Sequence, residues 1–150
     1  MAVSLSKRHM LLPVGCICAA AGFAVSSHGP TFAHGPARSV NDGVYDQAQA
    51  GRGRDAYRTH CAACHGASLT GEGAPALAGP FWSSWNRRSL DELYLLVQGS
   101  MPQQAPESLP AATYADILAY MLQAGGYPDG PHPLPADEAA MAAIRIEIRK

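Results

Sequence analysis

The sequence predicts an all-α fold of about four to five short helices joined by Gly- and Pro-rich loops, and three observations carry that prediction. Apolar and small residues recur at helical spacing: Gly53, Tyr57 and Cys61 fall at i, i+4 and i+8, and Tyr114, Ile117, Leu118, Met121 and Leu122 at i, i+3, i+4, i+7 and i+8. Ser89-Leu90-Asp91-Glu92 reads as a capping box ahead of an apolar run. Between the periodic segments lie stretches dense in Gly and Pro, at 66–80 and 99–106, which punctuate rather than continue a helix.

Taken in order, residues 1–33 are expected to be a secretory signal and to stand outside the fold. Lys7, Arg8 and His9 form a basic start, and Met10 to Val25 an apolar run of about 16 residues, short of the roughly 20 that span a bilayer. Thr31 and Ala33 suit cleavage after Ala33, with Ala24 and Ala37 as the other positions; retention as an uncleaved membrane anchor is the alternative. Cleavage would remove Cys16 and Cys18, leaving Cys61 and Cys64 as the remaining thiols and hence no disulfide framework. It would also remove Lys7 and Arg8 from the 11 Lys and Arg but none of the 12 Asp and Glu, taking the formal charge from −1 to −3. A mildly acidic surface gives no reason to invoke nucleic acid.

Residues 34–43 are expected to be a mobile lead, 44–126 the compact domain, and 127–150 a C-terminal strap with a short helix. A first helix is predicted from about Val44 to His65. Gly51 and Gly53 each cost it about 1 kcal/mol against Ala, a cost explained if another helix crosses closely at Gly53; the alternative is that the helix begins only near Asp55. The partner expected for that crossing is the helix of about Pro110 to Gln123, the most amphipathic segment in the chain. The helix capped by Ser89 carries Leu90, Leu93 and Val97 on one face and ends near Gly99. At least two of Phe81, Trp82 and Trp85 are expected in the core, and 137–144 as a short helix followed by a segment that suits a strand or a helix end equally.

Cys61-Ala62-Ala63-Cys64-His65 is the stretch that carries chemistry. Two thiols separated by two residues and followed by His form the pattern of a c-type haem attachment site. On a helix, positions i and i+3 lie about 5–6 Å apart at Cβ, within reach of two haem vinyl groups for thioether formation, and His65 follows on as the proximal iron ligand. A redox dithiol, a structural disulfide and half of a zinc site are the competing readings. A zinc site needs two more ligands, and downstream of His65 the only Cys or His is His132. A haem would also supply apolar mass to a chain with 15 Gly, 12 Pro and 7% aromatic residues. The ligating His needs an oxygen to hold its other ring nitrogen, which the segment Ala74-Pro75-Ala76-Leu77 could offer as a backbone carbonyl. Trp85, with an indole N–H that needs a partner when buried, is a candidate donor to a haem propionate.

From about Val44 to Leu122 the chain resembles class I c-type cytochromes. The likeness rests on an aromatic-bearing first helix ending in Cys-x-x-Cys-His, the loop with Ala74-Pro75-Ala76-Leu77, the Met101-Pro102 loop, and a last helix reading Tyr114-Ala115-Asp116-Ile117-Leu118-Ala119-Tyr120. The resemblance implies a class I cytochrome c fold around one covalent haem c, with thioethers at Cys61 and Cys64, His65 as proximal and Met101 as distal iron ligand, Pro75 as the carbonyl partner of His65, and crossing first and last helices. Trp85, Ser108-Leu109 and the tail with Leu134-Pro135-Ala136-Asp137 are similar to small cytochromes associated with pyrroloquinoline-quinone-dependent alcohol dehydrogenases. Pro110 departs from that pattern, where a capping Ser or Thr is expected.

These readings imply a periplasmic electron carrier rather than an enzyme. A dehydrogenase is the expected donor and an oxidase or another cytochrome the acceptor; membrane contact is expected only if the signal stays uncleaved. The alternatives are a haem subunit of an oxidoreductase complex, and a haem enzyme or gas binder with an exchangeable distal ligand. The last would need acid–base groups near the iron, and Pro102, Gln103 and Gln104 offer none.

Overall fold

In the computed structural model, residues 38–149 are described. The signal expected at 1–33 and the first part of the expected lead, 34–37, lie outside the described residues. Among those described are six α-helices and one pair of two-residue strands: β1 (Arg38–Ser39), α1 (Gln47–His60), α2 (Ala62–His65), α3 (Phe81–Trp85), α4 (Leu90–Ser100), α5 (Ala111–Ala124), α6 (Glu138–Ala142) and β2 (Ile144–Arg145).

The organising contact is the crossing of α1 and α5, the most extensive packing between any two elements. Asp46 caps α1 by accepting from the Gln49 N–H at 2.7 Å, so the helix begins well before Gly53. At Gly53 the backbone of α5 passes so close that an added Cβ would lie inside the envelope of the Asp116 carbonyl group. Glycine is therefore required there by close approach, which offsets its poor helix propensity. Ala50 and Tyr57 from α1 and Ile117, Leu118 and Met121 from α5 fill the seam. Arg52 forks onto the Asp116 carboxylate with two 3.0 Å bonds at its exposed edge, a contact worth little in water.

Helix α4 starts with the predicted capping box: the Ser89 side chain accepts from the N3 backbone, and the Glu92 carboxylate accepts the Ser89 N–H at 3.2 Å. Leu90, Leu93 and Tyr94 go into the core. The helix runs through Gly99 to Ser100, so Met101 is the residue at which the chain turns out of it.

Three differences from the sequence reading have local causes. The first helix breaks at Cys61, whose φ of −125° and ψ of −34° separate α1 from α2. Phe81–Trp85 forms a helix of its own behind Pro80, adding to the helix count. Residues 38–43 are packed rather than a free lead. Val40 is fully buried, Ser39 and Asp42 form a capping box, and β1 pairs in parallel with β2, Arg38 against Ile144 and Ser39 against Arg145. The tail after α6 thus takes the strand alternative.

The C-terminal strap is held onto the start of the domain by buried polar groups. Gln49, 3% exposed, brackets Leu134, its Nε2 donating to the Leu134 carbonyl at 2.9 Å and its Oε1 accepting the Leu134 N–H at 2.6 Å. The Tyr45 hydroxyl donates to the Tyr127 carbonyl at 2.7 Å.

Candidate cofactor site

Between α1–α2 on one side and α4, α5 and the Met101 loop on the other lies a cavity of about 320 Å³, within the range of small-molecule and cofactor sites. Cys61, Cys64, His65, Pro75 and Met101 all line it, together with Leu77, Phe81, Leu93, Val97, Ile117 and Met121. Five of the six residues singled out in the sequence are therefore brought to one apolar chamber from three separate segments.

Local backbone bonding explains how the Cys-x-x-Cys-His segment is presented. The Cys61 carbonyl accepts from the Cys64 N–H at 3.1 Å and the His65 N–H at 3.0 Å, closing one tight turn. The loop that follows folds back onto it: the Cys64 carbonyl accepts from Gly73 and Ala74, both at 2.9 Å, and the His65 carbonyl from Gly71 at 2.9 Å. Gly66 and Gly71 take φ of +80° and +79° in that return, values open to glycine. Tyr57, fully buried, donates its hydroxyl to the Gly66 carbonyl at 2.7 Å, fixing the exit of α2 to α1. Burial, and after it the nearby Cys61, pushes its phenol up to about 12.

His65 is 7% exposed, and its Nδ1 lies 2.8 Å from the Pro75 carbonyl oxygen. A carbonyl can only accept, so the proton sits on Nδ1 and the lone pair on Nε2. That tautomer is the one a metal-ligating imidazole needs. Cys61 and Cys64 are unpaired thiols. Burial pushes the Cys61 thiol up to about 11, with Cys64 adding to the shift, so it stays protonated at neutral pH. These features fit a covalently attached haem: two thiols for thioethers, an imidazole nitrogen free to ligate, a thioether side chain at Met101, and an apolar wall.

Residues 48–121 match the family model described as cytochrome C oxidase, cbb3-type, subunit III. The match supports a class I c-type cytochrome. The helix-dominated architecture agrees, and the fold is that of an all-α cytochrome c. No curated protein and no solved structure matches the chain.

Trp85 is not among the residues that line the cavity. Its ring packs at 6.1 Å from Phe81, and the Arg88 guanidinium sits over its face at 4.2 Å. Among the described residues the buried indole nitrogen without a partner is that of Trp82, whose ring lies edge-on to Phe81 at 5.2 Å and to Tyr127 at 5.1 Å. His132 is exposed on the strap and does not line the cavity. No group of three or more His, Cys, Asp or Glu able to hold a metal ion occurs among the described residues, so the zinc reading lacks partner ligands. No described helix is long and apolar enough to cross a membrane. His60 also lines the chamber; its place beside Cys61 was the available sequence signal. Tyr114, read in the sequence as a stripe residue, donates its hydroxyl to the Met101 carbonyl at 2.8 Å.

Proposed function

We propose that this cytochrome is a periplasmic electron carrier holding one haem c through thioethers at Cys61 and Cys64, with His65 and Met101 as axial ligands. Its donor is a separate dehydrogenase, a quinoprotein by the resemblance noted above, and its acceptor an oxidase or another cytochrome of the respiratory chain. The observation that supports this reading is the convergence of Cys61, Cys64, His65 and Met101 on one apolar cavity, with His65 held through Nδ1 so that Nε2 is left to ligate.

The haem, when bound, supplies a one-electron ferric–ferrous couple whose potential His/Met ligation raises. The chain's own residues hold and shield it. Pro75 orients the imidazole, while Leu93, Val97 and Ile117 line the chamber with apolar surface that keeps water out. Gln103 and Gln104 are the cavity residues that follow Pro102, and neither has acid–base reach at neutral pH, which favours a carrier over an enzyme.

The test is to produce the protein in a host that matures c-type cytochromes. The haem is expected to survive denaturing electrophoresis and acid–organic extraction. The oxidised protein is expected to show the far-red sulfur-to-iron band, and Met101→Ala to abolish it. The reduced protein is expected not to bind carbon monoxide rapidly, and the oxidised protein to be reduced by an alcohol plus its dehydrogenase. Extractable haem would end the covalent assignment, and fast carbon monoxide binding would favour an open-site enzyme or gas binder.

A further inference from the structure

We propose that Tyr114 is the positioning residue for Met101, acting as a clasp that closes both ends of the loop bearing the distal ligand. The proposal rests on the reading that Met101 ligates the iron. Tyr114 stands in the first turns of α5, 1% exposed, with its ring edge-on to Tyr94 of α4 at a centroid distance of 6.5 Å. Its hydroxyl donates to the Met101 carbonyl at 2.8 Å and accepts the Leu109 N–H at 3.4 Å. Met101 is the first residue of the loop between α4 and α5, and Leu109 nearly the last. One phenol oxygen therefore joins the entry and the exit of the segment.

The loop has few other means of holding Met101 in place. Residues 103–108 are exposed, so apolar burial contributes little to fixing them. Pro102 has no N–H to give. The remaining backbone bonds are Met101 N–H to Val97 at 2.9 Å, Ala105 N–H to Pro102 at 2.8 Å and Glu107 N–H to Gln98 at 3.0 Å. The first continues α4, the second lies within the loop, and the third ties its middle to α4. Only the Tyr114 hydroxyl connects the Met101 backbone to α5, whose Ile117 and Met121 wall the same cavity. A tyrosine is needed for this, since a phenylalanine would fill the same space between α4 and α5 but leave the carbonyl and the amide unjoined.

The consequence is a set frequency of loop opening. An exogenous ligand that replaces Met101 must wait for the open state, so its apparent dissociation constant is the intrinsic one divided by the open fraction. Losing one net hydrogen bond from the closed state raises the open fraction about fivefold.

The experiment is imidazole titration of the oxidised, haem-loaded protein, read by loss of the far-red band, in wild type, Tyr114→Phe, Met101→Ala and the double variant. Tyr114→Phe is expected to keep the band without imidazole and to bind imidazole about fivefold more tightly. In the Met101→Ala background, where no distal sulfur competes, Tyr114→Phe is expected to change imidazole affinity not at all, measured there by the Soret shift. A lower unfolding midpoint with unchanged imidazole affinity, or an equal affinity change in the Met101→Ala background, would mean that Tyr114 merely packs, and the clasp would fall alone. If the band survives in Met101→Ala, the ligand assignment falls and takes the clasp with it. Amide exchange of Leu109 in the wild type gives a second reading that needs no variant. Saturating imidazole is expected to speed it, and an unchanged rate would overturn the two-ended clasp.

Discussion

Gly53→Ala and Gly51→Ala form a matched pair that isolates the α1–α5 crossing. Both glycines lie inside α1, two residues apart, so each substitution gains the same helix propensity, about 1 kcal/mol. Around Gly51 nothing lies within 4 Å of an added Cβ, whereas at Gly53 that atom would meet the carbonyl oxygen and carbon of Asp116 and, at 3.1 Å, the Ile117 nitrogen. All three are backbone atoms of α5, so no side chain can swing away and the helices themselves must separate. Overpacking of this kind costs about 1–3 kcal/mol, and a rigid backbone partner puts this site at the upper end. Gly53→Ala is therefore expected to lose about 2 kcal/mol net, and Gly51→Ala to gain up to about 1 kcal/mol. For a domain of this size each kcal/mol moves the midpoint by about 4–8 °C, which opens a gap of well over 10 °C between two variants of identical composition. Thermal unfolding of the haem-loaded protein followed by circular dichroism reads that gap. Equal midpoints for the two variants would refute the close crossing. The far-red band adds a functional reading: Ile117 and Met121 lie on the displaced helix and line the cavity, so Gly53→Ala is also expected to broaden or weaken it.

The raised Tyr57 phenol gives a pH dependence with a definite sign. Its folded pKa of about 12 lies above the ordinary 10, so the folded state holds this proton more tightly and its contribution is complete below about pH 10 and lost as the pH rises towards 12. The denaturant midpoint of the haem-loaded protein is expected to fall across that window and to fall less steeply in Tyr57→Phe, the remainder coming from Tyr45, Tyr94 and Tyr127, which are also raised by burial. Identical slopes would show that Tyr57 does not titrate with unfolding. Ser89→Ala removes the capping box of α4 and is expected to cost about 1 kcal/mol in urea unfolding, with Ser89→Gly costing only a few tenths; a cost as large for Gly as for Ala would argue against the cap.

What could be read from the sequence was whatever local chemistry dictates. The thiol spacing in Cys61-Ala62-Ala63-Cys64-His65 is the spacing that attachment of a haem through two thioethers would impose. The capping box at Ser89 is set by the four unsatisfied N–H groups that any helix start exposes. The glycine at 53 stood out because it is costly inside a helix unless something passes close by, and α5 does. Residues whose role is decided by partners far along the chain could not be read in the same way. Gln49 bonds to Leu134 and Tyr45 to Tyr127, and nothing near Gln49 or Tyr45 announces those contacts. Residues 38–43 looked like a polar lead because the strand that pairs with them lies more than 100 positions away. The five-residue α3 is too short for periodicity to declare itself. Tyr114 is the sharpest case. A tyrosine on an apolar stripe satisfies the hydrophobic pattern through its ring alone, and its hydroxyl gains a meaning only once the Met101 carbonyl is found 2.8 Å away. The Cys-x-x-Cys-His end of the cavity is thus written in five consecutive residues, whereas the Met101 end is assembled from α4, a loop and α5, and this is why the Tyr114 contact emerges from the structure rather than from a motif.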